Sequence, residues 1–199
     1  AAIGAGLDIF KPRGNMVIDM GGGTSDIAVL SLGDIVASES VRLAGDQLNS
    51  DIAEYIKEHH GLIIGEHTAE RIKIELGTAQ KVDDPQTMEV RGRDVASGMP
   101  KQIETNENEI ADALHDTLEQ IVRASVAVLE TVPPELASDI IDRGIMLTGG
   151  TAMLHGIDKL FSDRLKVPVV VSQDPLDNVA KGAGELLERM QSDSGKNRK

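Results

Sequence analysis

The sequence has 199 residues, enough to bury a substantial core, and its 40% hydrophobic and 27% charged residues are typical of globular proteins. A net charge of −13 and an aromatic content of 2% argue against a nucleic-acid surface, which needs basic and stacking side chains. The absence of Cys excludes disulfides and thiolate metal sites, and no apolar run approaches the roughly 20 residues that span a bilayer.

The first part of the chain predicts an antiparallel meander followed by two helices. Short apolar runs at 16–20, 27–30 and 35–37 are typical of strands, and turns containing glycine separate them. After Asp46 the apolar residues recur at helical spacing, and a second helix is predicted from about Thr68.

The rest of the chain predicts helices alternating with strands. Residues 81–104 are polar and broken by Gly and Pro, with hairpin strands predicted at 87–90 and 101–104. The later predicted elements are a long helix from an Asn106 N-cap to Pro133, a strand within 140–147, a helix over 152–165, a strand over 167–171, a helix over 178–190 and a frayed polar tail over 192–199. This order predicts an α/β domain with a mixed sheet and a smaller inserted subdomain.

The strongest candidate site is the glycine turn between the first two predicted strands. Gly21, Gly22 and Gly23 lack Cβ atoms, so their N–H groups can approach an anion closely. The Thr24 hydroxyl could hold a phosphate oxygen or position a water, and Asp19 at the strand end could hold Mg²⁺ through water. The alternative interpretation is a flexible hairpin without a ligand.

A second glycine turn follows the strand that ends near Leu147. Gly149 and Gly150 lead there into the helix predicted from Ala152, and a helix N-terminus offers free N–H groups and partial positive charge to a nucleotide. The alternative is an ordinary turn between a strand and a helix.

A third candidate lies on the second predicted helix, where Glu70 and Lys73 share a face beside Arg71. Such a face could border an adenosine, although on these residues alone a solvated charge pair is favoured. The five histidines show no metal-ligand spacing, and no Walker A, HExxH or GxSxG motif is present.

Five segments in order carry a resemblance to a known family. They are MVIDMGGGT at 16–24, LIIGEHTAE at 62–70, MEVRGRD at 88–94, PPELASDI at 133–140 and DRGIMLTGG at 142–150. Together they resemble the actin/Hsp70/sugar-kinase ATPase superfamily, and closely resemble the MreB/Mbl family of bacterial actins. Residues 24–30 look more like Mbl than MreB.

The resemblance implies one lobe of an actin-like (ribonuclease H-like) α/β ATPase, with a mixed sheet and an inserted α+β subdomain. Residues 12–45 and 106–190 would form subdomain IIA, the nucleotide-binding core, and 46–105 would form the inserted subdomain IIB. Residues 1–11 would be the end of a connection from a first lobe, and 191–199 a disordered tail.

The same resemblance implies roles for the candidate residues toward ATP or ADP and Mg²⁺. Residues 21–24 would be the second phosphate loop, and Asp19 would contact Mg²⁺ through water. The predicted nucleotide-binding residues are Gly21, Gly22, Gly23, Thr24, Glu70, Arg71 and Lys73, with Gly149, Gly150, Thr151, Ala152 and Met153 closing the other side.

Two departures from the family pattern stand out. Thr151 occupies a position where the family usually has a third glycine, so its Cβ could alter the approach of the backbone to the nucleotide. The family also has a first lobe ahead of this stretch, which carries the first phosphate loop, the catalytic glutamate and the membrane-contacting residues. We therefore expect no catalytic residue in this chain, except that Thr24 could position a water.

The function that the resemblance implies is that of a rod shape-determining bacterial actin. The whole protein would be cytoplasmic and form ATP-dependent, membrane-associated filaments that guide cell-wall synthesis. Its partners would be copies of itself and membrane proteins of the RodZ/MreC/MreD type, and no nucleic acid. We expect this chain alone to bind nucleotide weakly and not to hydrolyse it.

Two alternatives stay open on the sequence. One is a lobe of another ATPase of the superfamily, such as an Hsp70-like chaperone or a sugar kinase. The other is a degenerate adaptor that binds filaments without using nucleotide.

Overall fold

The structure of the protein is a computed structural model, which describes residues 1–196. Its strands are β1 (Asn15–Met20), β2 (Ser25–Ser31), β3 (Asp34–Val41), β4 (Leu62–Ile63), β5 (Thr87–Asp94), β6 (Pro100–Asn106), β7 (Ile145–Thr148) and β8 (Val169–Val171). Its helices are α1 (Gly45–His60), α2 (Glu66–Leu76), α3 (Glu107–Thr131), α4 (Pro134–Arg143), α5 (Ile157–Leu165) and α6 (Asn178–Lys196), with a 3-10 turn at Gly150–Met153.

The larger sheet has the strand order β3-β2-β1-β7-β8. Strand β1 pairs antiparallel with β2 and parallel with β7, so the sheet is mixed, as the sequence predicts. Strand β1 is buried on both faces: Met16 and Ile18 lie in the main core, and Val17 packs against Ile9 and Ala2 on the other side. Burial on both faces explains why β1 reads as a continuous apolar run.

The smaller sheet, β4-β5-β6, lies in the stretch between α1 and α3 together with α2. The two predicted hairpin strands fall within β5 and β6, which pair antiparallel from Thr87–Asn106 to Arg93–Pro100. The apolar faces of α1 and α2 join the main core through Ile52 and Ile72, which are fully buried. The insertion is therefore packed onto the larger sheet's core.

The long helix α3 begins as predicted. The Asn106 side chain accepts hydrogen bonds from the N–H groups of Asn108 and Glu109 at 3.0 and 3.1 Å. The Glu109 carboxylate accepts a hydrogen bond from the Thr105 hydroxyl at 2.6 Å, which fastens the end of β6 to the helix. The cap therefore fixes where the smaller sheet ends and the helix starts.

The structure differs from the predictions at three elements. Helix α4 was not predicted, because ten residues between a Pro pair and a strand leave little periodicity to detect. The helix predicted from Ala152 is wrong in its beginning, because the 3-10 turn comes first and α5 starts at Ile157. The closing helix runs to Lys196 rather than Met190, and residues 197–199 of the predicted tail lie outside the described residues.

Among the described residues, none of the helices combines the length and the apolar composition needed to cross a bilayer.

Candidate nucleotide-binding cleft

A cleft of about 770 Å³ lies where the ends of β1 and β7 meet the starts of α1 and the 3-10 turn and the side of α2. This volume is in the range of small-molecule sites. Its lining includes most of the predicted site residues, namely Asp19, Gly21, Gly22, Thr24, Glu70, Lys73, Gly149, Gly150, Thr151 and Met153. The fold thus brings three separate sequence signals to one place.

The two glycine turns meet because β1 and β7 are parallel neighbours. Asp19 lies opposite Thr148 in this pairing, so both strands end at the same edge of the sheet. In open α/β sheets, ligands bind in the crevice outside the carboxyl ends of the strands. The topology therefore places the cleft where a ligand site is expected.

Gly149 is required by the fold at this junction. Its φ is 84°, and a Cβ built on it would lie only 2.3 Å from the Met20 carbonyl oxygen and 2.7 Å from Asp19 Oδ1. A side chain at this position would push β7 away from the end of β1 and from the Asp19 carboxylate.

The first glycine loop, residues 21–23, is held from both sides by backbone hydrogen bonds. The Gly21 N–H donates to the Thr24 carbonyl at 2.9 Å, which closes the β1–β2 hairpin. From the start of α1, the Gly45 N–H donates to the Gly21 carbonyl at 3.1 Å and the Asp46 N–H donates to the Gly22 carbonyl at 2.8 Å. The loop therefore rests on the N-terminus of α1, which the sequence analysis did not include in the site.

The glycines at 22 and 23 are not required by the fold. Neither has a positive φ, and the nearest atoms to an added Cβ would be the Asp46 carboxylate oxygens, at 3.6 Å from Gly22 and 3.9 Å from Gly23. Within residues 1–196, their N–H groups make no hydrogen bond to the rest of the backbone or to a side chain. The loop thus exposes bare backbone donors at the cleft, which suits the close approach of an anion.

Asp19 is the least exposed of the acidic residues that line the cleft in the described part of the chain. Burial raises the pKa of its carboxyl, and the neighbouring charge of Asp26 adds to this effect. The Thr24 hydroxyl donates to Asp26 Oδ2 at 3.3 Å. In the described part of the chain, no three His, Asp or Glu side chains group as a metal site, so a cation at Asp19 would take its other ligands from water or phosphate.

Helix α2 presents only part of its predicted site to the cleft. Glu70 and Lys73 line it, and Lys73 Nζ donates to the Gly45 carbonyl at 2.9 Å. Burial lowers the pKa of the Lys73 amine, against the opposing effect of the charges of Glu70 and Asp46. Arg71 instead lines a separate depression of about 590 Å³, with His67, Thr68, Glu89 and Arg91.

The cleft also has an apolar wall that the sequence analysis missed. Ile74 on α2 and Leu176 and Val179 near the start of α6 all line it, and Met153 joins them from the 3-10 turn. All four side chains are more than half exposed. Ala152, predicted as a site residue, is instead buried in the main core, and Gly23 lies on the loop just outside the lining.

Comparisons with known proteins agree with this architecture. The family model described as "MreB/Mbl protein" matches residues 1–195. The cell shape-determining protein Mbl of Bacillus subtilis (strain 168) is 51% identical over 190 residues, covering 96% of this chain and 57% of that protein. The cell shape-determining protein MreB of Escherichia coli (strain K12) is 48% identical over 195 residues, covering 98% of this chain and 56% of that protein. The chain thus spans a little over half the length of these relatives.

Solved structures show the same fold. MreB5 of Spiroplasma citri bound to AMPPNP superposes with a TM-score of 0.94 at 37% identity, covering 98% of this chain and 59% of that one. A MamK double helical filament matches with a TM-score of 0.74 at 20% identity, over 94% of this chain and 57% of that one, which shows the fold alone. The predicted fold class, an actin-like α/β lobe with a mixed sheet, is confirmed.

Proposed function

Because this chain belongs to the MreB/Mbl family of bacterial actins, we propose that it is the C-terminal nucleotide-binding lobe of a cell shape-determining actin. The observation that carries the proposal is the first glycine loop. Gly22 and Gly23 are glycines that the fold does not need, and their free N–H groups lie at the edge of a cleft of nucleotide size. Close approach of a phosphate group would explain both the two glycines and their free N–H groups.

The residues around the loop fit an adenine nucleotide with Mg²⁺. The N–H groups of Gly22 and Gly23 would bind phosphate oxygens, and Asp19 would hold Mg²⁺ through its hydration shell. Glu70 and Lys73 with the apolar wall would border the adenosine. A related structure, MreB5 of Spiroplasma citri, is described as bound to AMPPNP and to ADP, which supports this choice of ligand.

The role of the whole protein is part of the proposal. It forms ATP-dependent, membrane-associated filaments in the cytoplasm that guide cell-wall synthesis, with copies of itself and RodZ/MreC/MreD-type membrane proteins as partners. Residues 12–45 and 106–190 form subdomain IIA and 46–105 form subdomain IIB. The names of the relatives support the cell-shape role over the chaperone and sugar-kinase alternatives.

A calorimetric titration of the chain with ADP, in Mg²⁺ and in EDTA, tests the nucleotide site. We expect weak, saturable binding that Mg²⁺ strengthens, because the ion would link the nucleotide phosphates to Asp19 through its bound water. Asp19→Ala should remove the Mg²⁺ dependence. The control is Asp34→Ala, at the exposed tip of the β2–β3 hairpin, which removes the same charge outside the cleft and should leave the Mg²⁺ dependence unchanged. Failure of the wild-type chain to bind ADP at millimolar concentration would contradict the proposal.

The adaptor alternative is tested by sedimentation with filaments of a full-length relative. If the chain is a nucleotide-using lobe, its association with filaments should depend on ATP. Association that is equal with and without nucleotide would favour the adaptor. A steady-state assay of phosphate release should detect no turnover by the chain alone, because the resemblance implies that the catalytic glutamate belongs to a first lobe.

A further inference from the structure

We propose that Thr151 is a positioning residue, which fixes the first glycine loop against the second glycine turn and so sets the direction of the phosphate-binding N–H groups. This inference rests on the proposed nucleotide site. It concerns Thr151, at the position where the resemblance implies a third glycine.

A side-chain hydrogen bond joins the two turns. Thr151 Oγ1 donates to the Gly21 carbonyl at 2.9 Å, across 130 residues of sequence. Thr151 is only 6% exposed and Gly21 is half-buried, so the bond is partly shielded from competing water. Glycine could not make this bond, because it has no side chain.

The bond closes a chain of contacts that runs across the cleft. The Gly21 carbonyl also accepts from the Gly45 N–H, and the Gly45 carbonyl accepts from Lys73 Nζ at 2.9 Å. A Cβ built on Gly45 would lie 3.2 Å from Lys73 Nζ and 3.3 Å from Thr151 Oγ1. The 3-10 turn, the glycine loop, the start of α1 and helix α2 are therefore tied together at one point.

This point is next to the donors that would bind phosphate. Gly21 immediately precedes Gly22 and Gly23, and the planar peptide unit that carries the Gly21 carbonyl also carries the Gly22 N–H, so holding the carbonyl fixes the direction of that N–H. Donors that are already oriented bind an anion without first losing conformational freedom. Losing the Thr151 hydroxyl should therefore weaken nucleotide binding through the loop, although Gly21 keeps its bond to Gly45.

The first test compares Thr151→Val, which keeps the shape but loses the hydroxyl, with Thr151→Ser, which keeps the hydroxyl. In ADP titrations with Mg²⁺ we expect Thr151→Val to bind about fivefold more weakly, the effect of one net hydrogen bond. Thr151→Ser should stay within about twofold of the wild type. Equal affinities of the Val and Ser variants would overturn the proposal.

A matched control separates positioning from general loss of stability. Thr117 is also buried and its hydroxyl donates to Asp51 Oδ2 at 2.6 Å, outside the cleft. Thr117→Val should lower the urea midpoint to a similar extent as Thr151→Val but leave ADP affinity unchanged. An equal loss of affinity in both variants would mean that Thr151 acts only through stability.

Hydrogen exchange of the nucleotide-free chain gives a readout that does not depend on ligand. Thr151→Val should speed exchange in the peptide covering residues 19–26, and Thr151→Ser should not. Unchanged exchange in the Val variant would overturn the inference whatever the binding data show. If the wild type binds no ADP, the proposed function fails, whereas this measurement still decides whether Thr151 holds the loop.

Discussion

The two glycine turns look alike in the sequence, yet the structure uses their glycines for different purposes. At the second turn, Gly149 has a positive φ, and a Cβ added to it would clash with the backbone of Met20. At the first turn, Gly22 and Gly23 have no positive φ and face only the Asp46 side chain. Gly149 is needed for β7 to lie close to the end of β1, whereas Gly22 and Gly23 leave space at the cleft.

This difference shows that a glycine-rich motif combines two kinds of constraint. Substitution of Gly149 should lower folding stability, whereas substitution of Gly22 or Gly23 should weaken ligand binding. The two constraints can be separated by measuring unfolding and nucleotide affinity on the same variants.

Gly149→Ala should give the largest effect. The new Cβ would meet the Met20 carbonyl oxygen at 2.3 Å, and a non-glycine residue is also strained at this φ. We expect the free energy of unfolding to fall by about 3 kcal/mol or more, measured by urea denaturation. A loss below about 1 kcal/mol would mean that the strand ends can separate without cost.

Gly22→Ala should have the opposite profile, with little effect on stability and a clear effect on nucleotide affinity. Its Cβ has room, so the free energy of unfolding should change by no more than about 0.5 kcal/mol. Affinity for Mg²⁺–ADP should fall roughly tenfold, because the methyl group occupies the space in which a phosphate approaches the backbone.

The control for this prediction is Gly184→Ala on the exposed side of α6, where an added Cβ meets no neighbouring atom within 4 Å. It should leave ADP affinity unchanged and slightly raise stability, as replacing a helical glycine usually does. Gly22→Ala binding ADP as tightly as the wild type would remove the main support for the phosphate loop.

Much of the fold could be predicted from local patterns. The continuous apolar run of β1, the Asn106 cap and the helical spacing in α1 and α3 are local signals, and each corresponds to the observed element. Helix α4 is short, and the turn after β7 winds as a 3-10 helix. No local pattern in the sequence separates the first from a loop or the second from an α-helix.

From the residue patterns alone the site could be predicted only as separate pieces, which the family resemblance joined into one site. Helical geometry already puts Glu70 and Lys73 on one face and Arg71 to the side of it, which agrees with the cleft and the neighbouring depression. The bond from Thr151 to Gly21 could not be predicted from local patterns, because it joins residues 130 apart in the sequence and depends on β7 pairing with β1. The apolar wall was missed for the same reason.

The smallest expected effect concerns Asp19, where stability and binding should oppose each other. Burial raises the pKa of this carboxyl, so the folded state holds its proton more tightly than the unfolded chain does. The charged carboxylate therefore destabilises the fold above the folded pKa, and this cost is relieved as the pH falls toward the ordinary value of 3.8.

Asp19→Asn removes the charge while keeping the shape, so in Mg²⁺-free buffer it should slightly stabilise the chain at pH 7. The gain should shrink as the pH is lowered toward the ordinary carboxyl value of 3.8, because the raised pKa makes the folded wild type take up this proton before the unfolded chain does. Urea unfolding at several pH values measures the difference between the two proteins. A gain that does not depend on pH would show that the charge of Asp19 costs the fold nothing, and its place at the cleft would then need no ligand to explain it.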